Sequence, residues 1–171
     1  GFARLREADA WTIEAGGRYY VTRNGSALIA FTAGELDWPR SGFRMLGAHT
    51  DSPCLKVKPR PEIFRHSFLQ LGVEVYGGAL LNPWFDRDLS LAGRVSVQTA
   101  AGAVRSVLCD FKDPVAVIPS LAIHFDREAN KQKSVNPQEE LPPLLLQAEA
   151  ADEVSFRRIL LDHVNHSDPA L

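Results

Sequence analysis

The stretch FRMLGAHTDSP, residues 43–53, gives the strongest indication of fold class in this chain. Its apolar beginning, residues 43–48, predicts a strand buried on both faces, as in the interior of an α/β sheet. His49 then falls at the carboxyl end of that strand, where ligands bind in open α/β sheets. With Asp51 it forms either a metal ligand and its orienting carboxylate, or only the polar end of a buried strand.

The composition limits the partners and the compartment. The 171 residues are 45% hydrophobic and 23% charged, with a formal net charge of -2, which is typical of a globular protein. Neither sign of charge forms a long block, so we expect no nucleic-acid partner and no membrane partner. Cys54 and Cys109 lie in apolar sequence, which indicates free thiols in a cytoplasmic protein. Because the chain begins at Gly1 and ends on a polar tail, we expect a fragment.

Turn-forming residues divide the chain into segments. RYYVTRNGSALIAF, residues 18–31, predicts a hairpin that turns at Asn24 and Gly25. Prolines cluster between positions 53 and 61, and we place a domain boundary there, which gives an N-terminal part of residues 1–62 and a β-rich part of residues 63–171.

Periodic apolar residues predict the elements of the second part. Alternation indicates half-buried antiparallel strands over residues 69–75, 89–97 and 104–111. Helical spacing indicates helices over residues 119–130, with Pro119 at the first position, and over residues 153–164. The whole pattern corresponds to an α/β (α+β) fold class.

Three long blocks resemble one known family. GAHTDSPCLKVKP, QLGVEVYGGALLNPWFDRDLSLAGRV and VIPSLAIHFDREAN occur in the order found in the M18 metalloaminopeptidases, the aspartyl aminopeptidases. The resemblance implies part of a three-layer α/β/α zinc-peptidase domain, followed by an inserted β-rich dimerisation domain. It also implies a zinc-dependent aminopeptidase that removes N-terminal Asp or Glu with two divalent metals. Homo-oligomers built from dimers, up to a dodecamer, are implied as well.

The resemblance assigns roles to particular residues. It makes His49 a ligand of one metal and Asp51 the carboxylate that orients its imidazole. It makes His124 a substrate-binding residue that reaches across the dimer into the neighbouring active site. From the residues alone, His124 is a histidine on a helix surface. An Asp/Glu/His ligand set would accept zinc, manganese or cobalt.

Other polar residues have structural interpretations. Asp86, Arg87 and Asp88 form either an acidic-site motif or, the interpretation we favour, a salt-bridged turn. His66, His163 and His166 are predicted to be surface residues. In the M18 pattern the remaining ligands and the general base lie downstream of the insert, so this chain alone is predicted to be inactive. The alternative is a non-catalytic oligomerisation module derived from the same family.

Overall fold

The computed structural model describes residues 1–35, 37–148 and 154–167, with the backbone alone at positions 38 and 39. The chain divides into two compact units, Gly1–Thr50 and Asp51–Leu171. The boundary expected from the sequence, between residues 62 and 63, lies inside a strand of the second unit. The assignment of the two parts to a catalytic and a dimerisation domain stays a prediction.

The first unit is a small sheet closed by a hairpin. Strands β2 (Arg18–Arg23) and β3 (Ala27–Thr32) pair antiparallel, and β1 (Ala3–Arg4) pairs parallel with β2. Asn24 and Gly25 have φ of 54° and 64°, the left-handed values that a type I′ turn requires. This confirms the predicted hairpin. A single helical turn, α1 (Trp38–Ser41), follows.

The strand predicted over residues 43–48 is wrong. These residues have no regular secondary structure, and Phe43 and Leu46 are 82% and 101% exposed. An apolar run forms an interior strand only when neighbouring strands pair with it and both of its faces are covered. Within the described part of the chain no strand pairs with these residues.

The second unit is built on an antiparallel three-stranded sheet. Strands β4 (Cys54–Arg65), β5 (Phe68–Tyr76) and β8 (Leu144–Gln147) lie side by side in that order. The proline-rich segment interpreted as a boundary is therefore most of β4. Its register against β5 shifts between Val57 and Glu62, where Pro59 and Pro61 would otherwise leave the ladder without donors.

A second hairpin and a helix complete this unit. Strands β6 (Ala92–Gln98) and β7 (Val104–Asp110) pair antiparallel, close to the predicted positions. Helix α2 (Phe156–Ser167) packs on β7, where the ring of His163 stacks on Phe111 at a centroid distance of 4.0 Å. The final helix is thus confirmed, although residue 153 lies outside the described residues. His163 is not a simple surface residue, whereas His66 and His166 are exposed.

The core of the second unit lies beneath β5. Val73, Ile118 and Leu141 form a buried cluster, and Ile118 and Leu141 are completely buried. Half-buried residues pack around it from β4, from β5, from the 3-10 turn Asn82–Trp84 and from loops: Leu55, Val57, Val75, Leu81, Trp84, Phe85, Leu89 and Val135. None of the helices in the described residues is both long and apolar enough to cross a membrane.

The helix predicted over residues 119–130 is also wrong. The segment contains separate turns, closed by bonds such as that from the Phe125 N–H to the Ala122 carbonyl, 2.8 Å long. Leu121 and Phe125, which belong to the predicted apolar stripe, are 68% and 80% exposed. A short amphipathic helix depends on packing of its apolar face, and these side chains have no such packing.

Candidate functional site

His49 and Asp51 lie on either side of the division between the two units. His49 is the second-last residue of the first unit, Asp51 is the first residue of the second, and both side chains are exposed. The strand that was expected to present His49 is absent, so its position at a strand end no longer supports a metal role. That role stays a prediction, now supported by the chemistry of the residue pair and by the resemblance.

The carboxylate of Asp51 is held by a tyrosine. The Tyr76 hydroxyl donates a hydrogen bond of 2.5 Å to Oδ2 of Asp51. This hydrogen bond, together with the negative charge of Asp51, raises the pKa of Tyr76 above its ordinary value of 10.0. The phenol therefore remains a protonated donor at neutral pH, and Asp51 remains its acceptor.

The β4–β5 ladder explains why Tyr76 reaches Asp51. Cys54, the first residue of β4, is paired with Tyr76, the last residue of β5, so the chain just before β4 passes beside Tyr76. Gly77 follows with φ of +70°, a conformation suited to glycine, and lies against Pro53. The Lys56 ammonium lies 5.9 Å from the centroid of the Tyr76 ring. The sheet end thus fixes the Tyr76 side chain next to residues 51–53.

His124 lies in an exposed turn. The Phe125 and Asp126 N–H groups both donate to the Ala122 carbonyl, at 2.8 Å and 3.3 Å, and His124 is within that turn. Exposed apolar side chains flank it, since Leu121 and Phe125 are largely accessible. The prediction of a helix-surface histidine is therefore corrected to a histidine on a loop, which remains accessible to another molecule.

Asp86, in the turn after the 3-10 segment, forms two hydrogen bonds with the start of the loop that carries His124. The Asp86 N–H donates to the Ile118 carbonyl at 2.9 Å, and Oδ1 of Asp86 accepts from the Ser120 N–H at 2.8 Å. Hydrogen bonds from the Ser120 side chain and backbone hold the pKa of Asp86 below its ordinary value of 3.8. In the described residues Asp86 forms no ion pair, so the predicted salt-bridged turn is a turn held by hydrogen bonds.

The described residues do not assemble the donor groups needed for a complete zinc site. Among the described residues, no group of three or more His, Cys, Asp or Glu side chains could hold a metal ion. Structural and catalytic zinc sites use at least three protein ligands. An imidazole such as His49 suits zinc, but it would be one ligand of a site that needs further residues.

Comparison with known proteins gives the family. The profile of the family described as "Aminopeptidase I zinc metalloprotease (M18)" matches residues 1–162. This chain belongs to the M18 peptidase family. The chain is 59% identical over 164 residues to the "Probable M18 family aminopeptidase 2" of Pseudomonas syringae pv. tomato, and the match covers 96% of this chain. The chain spans only 38% of the length of that M18 relative.

Solved structures of M18 proteins have the same fold. The chain matches one in the cryo-EM structure of the Ape4 and Nbr1 complex with a TM-score of 0.84 and 38% identity, over 98% of this chain and 34% of the other. The mApe1 structure of Chaetomium thermophilum matches with a TM-score of 0.77 and 33% identity, over 99% of this chain and 41% of that chain. The S. cerevisiae mApe1 structure, described as a dodecamer, matches with a TM-score of 0.61 and 27% identity, over 85% of this chain and 40% of that chain. The fold is therefore an α/β fragment of the M18 zinc-peptidase fold.

The contacts of two residues near the candidate site were missed by sequence reasoning. Tyr76 was included only in the alternating pattern of β5, and Asp86 was interpreted as a member of a salt-bridged turn. The available signal for Tyr76 was its position before Gly77 and Gly78, where a strand ends. Its partner could not be identified, because the register of β4 against β5 was unknown.

Proposed function

We propose that the full-length protein is a zinc-dependent aminopeptidase that removes N-terminal Asp or Glu from peptides. The single observation that carries the proposal is the M18 match through residues 1–162, together with 59% identity to a protein named a probable M18 aminopeptidase. The preference for acidic residues comes from the M18 resemblance of the three sequence blocks. The alternative, a non-catalytic oligomerisation module, is an outcome of the test below.

His49 and Asp51 act together in this proposal. His49 binds one metal through a ring nitrogen, while Asp51 accepts the N–H of the other ring nitrogen and so fixes the tautomer. Tyr76 supports the arrangement by donating to Asp51. When bound, zinc supplies a Lewis acid that lowers the pKa of a bound water. A second divalent metal, and manganese or cobalt in place of zinc, belong to the same proposal.

His124 binds substrate in a neighbouring subunit under this proposal. Its exposed turn is accessible, and Leu121 and Phe125 beside it are apolar and largely exposed, as in surfaces that another subunit covers. We infer a homo-oligomer built from dimers, with a dodecamer as the upper assembly, as the description of the yeast mApe1 structure supports. The two free thiols, Cys54 and Cys109, support a cytoplasmic location for the protein.

The test uses the full-length protein loaded with zinc. Release of p-nitroaniline from the Asp, Glu and Leu derivatives is measured, with bound zinc determined on the same samples. We expect fast release from the acidic substrates, and loss of both activity and one zinc equivalent in His49→Ala. His166→Ala, an exposed histidine at the end of α2, is the matched control. Equal rates on all three substrates would reject the acidic preference, and no zinc-dependent release would favour the oligomerisation module.

A further inference from the structure

Two hydrogen bonds with Asp86 lie on either side of Pro119, at the base of the loop that carries His124. The Asp86 N–H donates to the Ile118 carbonyl, and the Asp86 carboxylate accepts from the N–H of Ser120, which lies 34 positions along the chain. We propose that Asp86 is a positioning residue for His124, because it fixes the backbone where the loop that carries His124 leaves the core. This inference rests on the substrate-binding role proposed above for His124.

A restraint at the base of the loop has the greatest effect on the position of the residues that follow it. Ile118 is completely buried in the core cluster, whereas residues 119–125 are exposed. After Ile118, Ser120 is therefore the first exposed residue of the loop that is held by a hydrogen bond to another part of the fold. A change of backbone direction at Ser120 would displace His124, which lies four residues further along. Small displacements of a substrate-contacting group reduce rates strongly.

Aspartate satisfies two separate requirements at this position. Asp86 has φ of 54°, in the left-handed region that Asp and Asn tolerate better than most residues. Its carboxylate also provides the acceptor for the Ser120 N–H, and a charged acceptor gives a stronger hydrogen bond than a neutral one. Substitutions can therefore separate the backbone requirement from the acceptor requirement.

Three variants of the full-length protein make that separation. Asp86→Asn keeps both the left-handed tolerance and an acceptor oxygen, and Asp86→Gly keeps the conformation but removes the acceptor. His124→Ala removes the group on which Asp86 is proposed to act. The matched control is Asp88→Gly, since Asp88 is exposed and, in the described part of the chain, forms no hydrogen bond with the loop.

The kinetic expectation is a loss that depends on His124. Asp86→Gly should lower kcat/KM for an Asp p-nitroanilide by about 10- to 100-fold, while Asp86→Asn and Asp88→Gly stay near wild type. Zinc content and oligomer size should be unchanged in all of them. In the His124→Ala background, Asp86→Gly should have no additional effect, because the group that it positions is already missing. Deuterium uptake by residues 118–126 should rise in Asp86→Gly only.

The outcomes separate this inference from the proposed function. If Asp86→Gly reduces kcat/KM by the same factor with and without His124, Asp86 does not act through His124 and the inference is overturned. Unchanged deuterium uptake in Asp86→Gly would overturn it as well. If His124→Ala alone has wild-type kinetics, the proposed role of His124 is wrong and this inference is overturned as well. The zinc and His49 measurements still test the peptidase activity in that case.

Discussion

The hydroxyl of Tyr76 and the carboxylate of Asp51 are joined by a hydrogen bond of 2.5 Å between the last residue of β5 and the segment that precedes β4. Through this bond the regular sheet of the second unit restrains Asp51, to which the M18 resemblance gives a role beside the metal. The sheet register produces the contact, since Tyr76 is opposite Cys54. Asp51 is thus restrained by the fold as well as by its chemistry.

Removal of the Tyr76 hydroxyl should weaken metal binding modestly. Tyr76→Phe keeps the ring and its contact with Lys56 but leaves Asp51 without this donor. Partners behind a ligating histidine typically contribute 10- to 100-fold in metal affinity, and Tyr76 is one step further away, so we expect a loss of about 10-fold or less. Chelator competition on the full-length protein measures it. Tyr20→Phe is the control, and equal zinc affinity in both variants would show that Tyr76 does not support the site.

Loss of the Asp51 charge should have a larger effect than loss of the Tyr76 hydroxyl. Asp51→Asn preserves the shape of the side chain but removes the negative charge that is proposed to hold the His49 ring. We expect zinc affinity or kcat/KM of the full-length protein to fall on the order of 10- to 100-fold, with folding retained. Circular dichroism and zinc titration check both points, with the exposed Asp113→Asn as the control. Wild-type kinetics in Asp51→Asn would rule out the orienting role.

The hydrogen bond that the Ser120 N–H donates to Asp86 should make the stability of the fold depend on pH in the acid range. Because the folded pKa of Asp86 lies below its ordinary value of 3.8, the ionised carboxylate stabilises the fold fully above about pH 3.8. That contribution is lost as the pH falls through the lowered pKa. The urea midpoint of the wild type should therefore exceed that of Asp86→Asn at neutral pH, and the difference should disappear in strong acid. A difference that does not change with pH would contradict the lowered pKa.

Local patterns were sufficient where local physics decides the structure. The Asn24–Gly25 hairpin was predictable because both turn residues accept positive φ, and β5 was predictable from strict alternation. Helix α2 was predictable from its apolar periodicity and buries Phe156 and Val164. In each of these elements the residues that decide the structure lie close together in sequence or recur on one face of the element.

Patterns failed where the partner of a segment decides its structure. Residues 43–48 and 119–130 have apolar patterns, yet Leu46 and Phe125 are exposed, because no packing surface for them lies in the described chain. Strand β4 was missed because prolines normally interrupt a ladder, and only the register shift shows how it accommodates them. The contact of Tyr76 with Asp51 could not be predicted for the same reason, since it depends on the register of β4 against β5.

The chain of 171 residues by itself should release no N-terminal residues from peptides. It offers His49 as a candidate ligand, but its described residues provide no group of three metal-ligating side chains. The purified chain and the full-length protein are compared on the Asp p-nitroanilide with added zinc. We expect activity only in the full-length protein. Zinc-dependent release by the chain that His49→Ala abolishes would show that the chain carries a working site.

Mixed dimers test whether His124 acts in the neighbouring subunit. In the full-length protein, His124→Ala should lower turnover and keep its metals, whereas His49→Ala should lose metal. A dimer with one subunit of each kind has one site that combines an intact His49 with the intact His124 of its neighbour. Random exchange makes about half of the dimers mixed, so mixing should restore about a quarter of wild-type activity. Subunit exchange is first verified by native mass spectrometry of differently tagged variants. Verified mixed dimers that recover no activity would show that His124 acts within its own subunit or not at all.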